Sequence, residues 1–166
     1  MAKKMKANEI INIAKKEYAF REVIVTTPDN QEFSVQIQEK LNDTKIMSLI
    51  ADLVEAKEYC TKNKYKFNEV LYLYVLLIKY FTNIQFTTYK TIQKQISYNL
   101  ELIECIIDLG VFEQITKYFD LDSMKKIEEN LKLYANQMDI ISSNSIHQML
   151  EDEFQAKVGI ENEKEF

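Results

Sequence analysis

The stretch FNEVLYLYVLLIKYFTN, residues 67–83, decides the fold class, because its apolar residues run almost all the way around a helix. A helix that is apolar on every side has to be surrounded by other protein. The stretch is also shorter than the ~20 residues that a helix needs to cross a bilayer. It therefore predicts the central helix of a soluble helical domain.

Composition supports a helical fold. The chain has 166 residues, of which 46% are hydrophobic and 28% are charged, which is ordinary for one globular domain. It contains only two glycines and one proline, which is hard to reconcile with a turn-rich all-β fold. We therefore predict a mainly α protein, a compact bundle of about five to six helices with a small N-terminal β-hairpin.

The hairpin is predicted from a change of period near the N-terminus. Residues 22–27 and 31–37 are rich in β-branched and aromatic side chains and alternate in character, and they flank the turn-forming tetrapeptide TPDN. A lone hairpin is only marginally stable in water. It must therefore pack on the helices or receive a strand from a partner, and the sequence leaves both alternatives open.

Helical periodicity covers most of the remaining chain. Residues 7–20 form an amphipathic pattern with lysines on the polar side, and the pattern from residue 42 onward is helical to nearly the end. Asn42 and Asn68 are candidate helix caps, and Gly110 is a candidate left-handed helix end. We divide the chain into a basic N-terminal helix or arm at residues 1–21, a hairpin plus helical domain at residues 22–158, and an acidic tail at residues 159–166.

Charge is distributed unevenly between the two ends. Residues 1–21 hold six basic and two acidic side chains, a net charge of about +4, whereas residues 151–166 hold two basic and six acidic ones, about -4. These ends could meet within one molecule or between neighbours. The formal net charge of the whole chain is -5, which argues against a general affinity for nucleic acid.

Motifs for chemistry are absent from the sequence. His147 is the only histidine and has no nucleophile or ligand at matching spacing, and the acidic run at residues 151–153 lacks the pattern of a calcium loop. Two glycines cannot build a phosphate-binding loop. We therefore expect no catalytic residues, no cofactor and no metal. Cys60 and Cys105 are expected to be reduced core residues, which favours an intracellular protein.

Tyrosines and lysines are the side chains that we expect at an interface. The chain has ten tyrosines and no tryptophan, and a half-buried tyrosine suits either an interface or the rim of a core. The predicted interface residues are Lys3, Lys4, Lys6, Lys15, Lys16, Tyr72, Tyr74 and Tyr80.

From residue 32 onward, the order of parts resembles small proteins without assigned function from the structural gene clusters of tailed bacteriophages of Gram-positive or gut bacteria. The resemblance covers about 120 residues and is carried by the strand EFSVQI, the helix IMSLIADLVEAKE, the phrase YFTNIQFT and the turn in ECIIDLGVFEQI. It implies a virion component or an assembly factor of head, connector or tail, without enzyme chemistry. The N-terminal helix and hairpin depart from it, and it transfers no functional residues.

Three functions follow as hypotheses. The leading one is a phage structural or assembly protein in the virion or in the cytoplasm of the infected cell, with other virion proteins or copies of itself as partners and no membrane. The second is a phage-encoded binder that inhibits a host or anti-phage defence protein. The third, an enzyme built from scattered Glu, Asp, Lys and Tyr side chains, is the least favoured.

Overall fold

A computed structural model describes residues 4–138 of the chain, with side chains for residues 4–135. This part is mainly helical, with a two-stranded antiparallel hairpin near its start, as the sequence predicts. In chain order the elements are α1 (Ala7–Glu17), β1 (Phe20–Thr26), β2 (Glu32–Gln38), α2 (Asp43–Lys62), α3 (Glu69–Phe81), α4 (Ile92–Asp108), α5 (Val111–Thr116) and α6 (Leu121–Met138). Lys3, His147, the acidic run at residues 151–153, the predicted last helix and the acidic tail lie outside the described residues.

Helix α3 is the centre of the fold. The side chain of Asn68 caps its first turn by accepting a hydrogen bond from the backbone N–H of Leu71 at 3.1 Å. Seven of its side chains are buried: Tyr72, Leu73, Val75, Leu76, Leu77, Ile78 and Phe81. The helix packs against both α2 and α4, which confirms the central helix predicted from its unbroken apolar surface.

The helices on either side begin and end where capping residues predict. Asn42 accepts a hydrogen bond from the backbone N–H of Lys45 at 2.9 Å and starts α2. Gly110 follows α4 with a φ of 67°, the left-handed conformation that glycine adopts without strain. Asp120 accepts a hydrogen bond from the backbone N–H of Ser123 at 3.0 Å in the first turn of α6. Helix α6 packs on α2, and α5 packs on α4 and β1.

One face of α4 differs from the sequence interpretation. Ile103 and Ile106 are buried, whereas Ile107 is exposed in the last turn, although helical spacing from Ile103 predicts that it shares the buried face. Cys105 is exposed as well, so the prediction of a second core cysteine was wrong. The position two residues after Ile103 lies about 200° around the helix, on the side that faces water.

The hairpin completes its packing within the chain. One face buries Val23, Val25, Val35 and Ile37 in the common core. Thr82 forms a bridge with Ile37 at the outer edge of β2. The predicted N-terminal helix was too long, since α1 ends at Glu17 and Phe20 already pairs with Gln38 in the sheet.

Candidate interaction site

The first feature of the site is α1, which is well formed as a helix. The carboxylate of Glu9 accepts a hydrogen bond from the backbone N–H of Lys6 at 3.0 Å, one half of a capping box. Glu9 lies in the first turn, and Lys15 and Lys16 lie in the last turn, an order that complements the helix dipole. Local interactions therefore favour this helix.

The apolar face of α1 is exposed. No residue of α1 is buried, and the exposed fractions are 52% for Ile10, 51% for Ile11 and 58% for Ile13. These positions and Ala14 lie on one side of the helix at about 100° per residue, with Asn8 and Asn12 on the other. Core-facing helices carry such an apolar stripe, but here nothing in the described part of the chain covers it.

Lysine side chains surround this apolar stripe. Lys4 and Lys6 precede the helix or begin it, and Lys15 and Lys16 lie at its end; all four are exposed. Lys3, which we also predicted at the interface, lies outside the described residues. The helix thus combines an apolar stripe with positive charge, the surface that suits an acidic amphipathic partner.

Two contacts attach the end of α1 to the body. The Glu17 carboxylate pairs with the Lys40 ammonium at 2.7 Å, and this hydrogen bond and charge raise the pKa of Lys40. The Gln38 amide, only 2% exposed, donates to the carbonyl oxygen of Tyr18 at 3.0 Å. The helix is therefore held at its base, and no residue among 4–138 buries its apolar stripe.

A half-buried lysine supports this attachment. The Lys45 ammonium donates a hydrogen bond to the Gln38 side-chain oxygen and lies 5.2 Å from the centre of the Phe20 ring. Burial lowers the pKa of Lys45. Lys45 thus orients the amide that holds Tyr18 and covers the first residue of β1.

Both strands of the hairpin form hydrogen bonds with other parts of the chain. The backbone of Gln36 on β2 is paired with Asn83, whose N–H donates to the Gln36 carbonyl at 3.0 Å and whose side chain accepts at 2.9 Å. Gln114 of α5 bonds both backbone groups of Thr26 at 2.9 and 2.8 Å, at the end of β1. The backbone of β2 at Gln36 and the end of β1 at Thr26 are therefore both paired within the chain.

Comparison with known proteins places the chain in a family. A family model described as YomO matches residues 7–166. The chain belongs to the YomO family. YomO is the name of a protein from a prophage region of Bacillus, so the family is phage-associated. No curated protein and no solved structure matches the chain.

The YomO match includes the N-terminal helix and hairpin. It begins at the first residue of α1, whereas the resemblance to phage proteins began at residue 32. Helix α1 thus belongs to the sequence that defines the family. The phage origin that the resemblance implies agrees with the family name.

The three tyrosines predicted at an interface are all used within the chain. Tyr72 is 6% exposed, and its hydroxyl lies 3.5 Å from the Asn99 side-chain nitrogen. The Tyr74 ring packs against Phe112, with ring centroids 4.6 Å apart. Tyr80 is half-buried. These contacts lie within the body, and the interface role of the three tyrosines stays a prediction.

A small cavity beside α3 gathers the titratable groups that an enzyme would need. It has a volume of about 190 Å³ and is lined by Asp52, Glu55, Ala56, Tyr72, Lys79, Ile92, Gln95 and Ile96. Asp52 accepts hydrogen bonds from Lys79 at 2.7 Å and from the Tyr80 hydroxyl at 2.9 Å. Burial and the Asp52 carboxylate raise the pKa of Tyr80 well above its ordinary value. This hydrogen bond joins Tyr80 of α3 to Asp52 of α2 within the body.

A second, charged cleft lies where α1 meets the body. Its volume is about 370 Å³, and its lining includes Glu17, Lys40, Asp122 and Lys126. Lys126 pairs with Asp43 at 3.0 Å, so charges of both signs are compensated there.

Among residues 4–138, no group of three or more His, Cys, Asp or Glu side chains could hold a metal ion. None of the helices in this described part is long and apolar enough to cross a membrane.

The sequence predicted both parts of the site, the lysines and the amphipathic pattern of residues 7–20. It did not decide whether the apolar side of that pattern is covered, because periodicity shows only that a face is apolar. The attachment through Gln38 left no sequence signal, because it joins residues twenty positions apart.

Proposed function

We propose that this protein is a non-enzymatic structural or assembly protein of the phage particle, a head, connector or tail component that acts through protein–protein contacts. The observation that carries the proposal is α1, a folded amphipathic helix with an exposed apolar stripe. We call α1 with the preceding residues 4–6 the docking arm. Its partner is another virion or assembly protein, or a second copy.

The energetics of α1 favour a partner. An isolated helix shorter than ~12 residues is marginal in water, and α1 has 11 residues. Burial of apolar surface contributes roughly 25 cal/mol per Å². Ile10, Ile11 and Ile13 gain this stabilisation when a surface from outside residues 4–138 covers them, so docking would stabilise the arm.

The contacts of the body support a binding module more than an enzyme. The cavity beside Asp52 is small, and burial raises the pKa of Tyr72, the tyrosine in its lining. The helical body instead presents the arm at a fixed place, since the base of α1 is bound to Gln38 and Lys40. A rigid body with one projecting amphipathic helix is typical of helix-in-groove recognition.

The test compares two variants that add the same charge to opposite sides of α1. The double substitution Ile10→Asp and Ile13→Asp disrupts the apolar stripe, and Asn8→Asp with Asn12→Asp is the control on the polar side. We expect mass spectrometry of purified phage particles or assembly intermediates to detect the wild-type chain and the control variant in multiple copies, and to find the stripe variant lost.

The contrary result is a wild-type chain that is absent from particles and from assembly intermediates. If the chain instead co-purified from infected cells with one host protein at equal stoichiometry, the function would be inhibition of a host or anti-phage defence protein. Stoichiometry therefore separates the two functions.

A further inference from the structure

We infer that the docking arm binds the C-terminal segment, residues 146–166, of a second copy of this chain, so that copies join head to tail. This inference rests on the proposed function, because it names the partner of the same arm. It places the apolar stripe of one copy against the acidic end of the next.

Charge complementarity is the first support. The described arm carries Lys4, Lys6, Lys15 and Lys16 around its stripe, while residues 151–166 carry a net charge of about -4. Opposite charges across an interface steer the encounter and fix the orientation of the partners. Such a contact weakens as salt screens exposed charges.

Apolar spacing is the second support. The C-terminal sequence has Ile146, Met149, Leu150 and Phe154 at intervals of three and four residues, the period of one helical face. The stripe on α1 has the same period. The acidic segment thus supplies apolar side chains for the stripe as well as opposite charge.

The experiment distinguishes a neighbouring copy from the same molecule. The first turns of α6 line the cleft beside Glu17 and Tyr18, at the base of the arm. Binding of the acidic segment to the arm of its own chain would leave the wild type monomeric, whereas binding to the arm of a second copy gives an oligomer.

A head-to-tail contact has consequences for assembly. The two surfaces differ, so the contact is heterologous and generates a ring if the rotation closes or a filament if it does not. One 11-residue helix buries less than the roughly 1,200 Å² typical of a stable interface. A single contact is therefore weak, and closure of a ring adds effective concentration.

The experiment is complementation between two variants of the full chain. The arm variant carries Ile10→Asp and Ile13→Asp, and the tail variant carries Leu150→Asp and Phe154→Asp. Light scattering on size-exclusion peaks, from micromolar to millimolar protein, should give an oligomer for the wild type and a monomer for each variant alone. An equimolar mixture should give a dimer, because the intact tail of the arm variant binds the intact arm of the tail variant. The dimer cannot grow, since both of its free ends carry the substitutions.

A charge exchange tests the same contact without changing apolar residues. The variant with Lys15→Glu and Lys16→Glu should bind the wild-type tail about tenfold more weakly, a change of about 1.4 kcal/mol. Its mixture with Glu151→Lys and Glu153→Lys should recover the lost affinity. The control with Asn8→Asp and Asn12→Asp should still form the oligomer.

Three results would overturn the inference: a wild-type chain that stays monomeric throughout, a tail variant that still forms the wild-type oligomer, and a mixture that remains monomeric. If the mixture stays monomeric while the arm variant is still lost from phage particles, the arm binds another virion protein and the proposed function stands. If the mixture dimerises but phage particles and assembly intermediates contain no wild-type chain, the arm does bind a second copy and the proposed function fails.

Discussion

The side-chain amide of Gln38 donates a hydrogen bond to the carbonyl oxygen of Tyr18 at 3.0 Å, and this contact joins the docking arm to the body. The amide oxygen of Gln38 accepts in turn from the Lys45 ammonium. A buried amide that uses both its donor and its acceptor is oriented by its neighbours. Gln38, the last residue of β2, thus holds the residue that follows α1 and fixes the place from which the arm projects.

Substitution of Gln38 should cost stability. Gln38→Ala removes both hydrogen bonds and leaves the partly buried Lys45 without this acceptor, so we expect a loss of about 1–3 kcal/mol in the free energy of unfolding. Gln36→Ala is the matched control, because its side chain is exposed and only its backbone bonds Asn83. Urea denaturation measures both, and equal losses would contradict the role of Gln38.

Removal of the arm should leave the body folded. A chain lacking residues 1–18 loses the Glu17–Lys40 pair, an exposed ion pair worth about 0–1 kcal/mol, and the hydrogen bond to Tyr18, but no buried side chain. Circular dichroism should therefore show a cooperative melt within a few degrees of the wild type. Light scattering should show a monomer.

A longer truncation provides the contrast. Removal of residues 1–25 also takes away Val23 and Val25, which are buried in the core, and this chain should fail to fold cooperatively. Unfolding of the shorter truncation would mean that α1 belongs to the core.

Stability should fall in alkaline solution partly through Tyr80. Burial and the Asp52 carboxylate raise the pKa of Tyr80 above the ordinary value of 10.0. The folded state therefore keeps this proton where the unfolded chain loses it. The contribution is fully present below pH 10 and decreases as the pH rises further.

The variant Tyr80→Phe isolates this effect. It should be less stable at neutral pH by about 1 kcal/mol, since it loses the hydrogen bond to Asp52, and its stability should fall less steeply above pH 10. Tyr65→Phe, at an exposed position, is the control. Urea unfolding at successive pH values gives both slopes, and parallel curves for the wild type and Tyr80→Phe would refute the assignment.

The two cysteines should differ in reactivity. Cys105 is exposed, whereas Cys60 is buried at 2% exposure and burial raises the pKa of its thiol. Since the thiolate is the reactive form, the native protein should release one equivalent of chromophore from an aromatic disulfide reagent at neutral pH. Cys105→Ser should release none until denaturant is added. Rapid reaction of two thiols in the native chain would show that α2 is misplaced.

The sequence by itself determined the helical class, the central helix and several helix ends. The apolar surface of α3, the amide caps at Asn42 and Asn68, and the left-handed glycine at position 110 all depend on residues close in the chain. Such features can be predicted from the sequence, because the side chain that causes each one lies within about one helical turn of the helix end that it forms.

Only the tertiary structure decided which amphipathic faces are covered. The isoleucines of α1 follow the same period as those of α4, yet α4 packs on α3 while α1 is left uncovered by the residues that the structure describes. Whether Cys105 or Ile106 is buried likewise depended on the rotation of α4 against α3. Periodicity shows that a face is apolar, but its burial depends on where distant elements lie, and that is set by the packing of the whole chain.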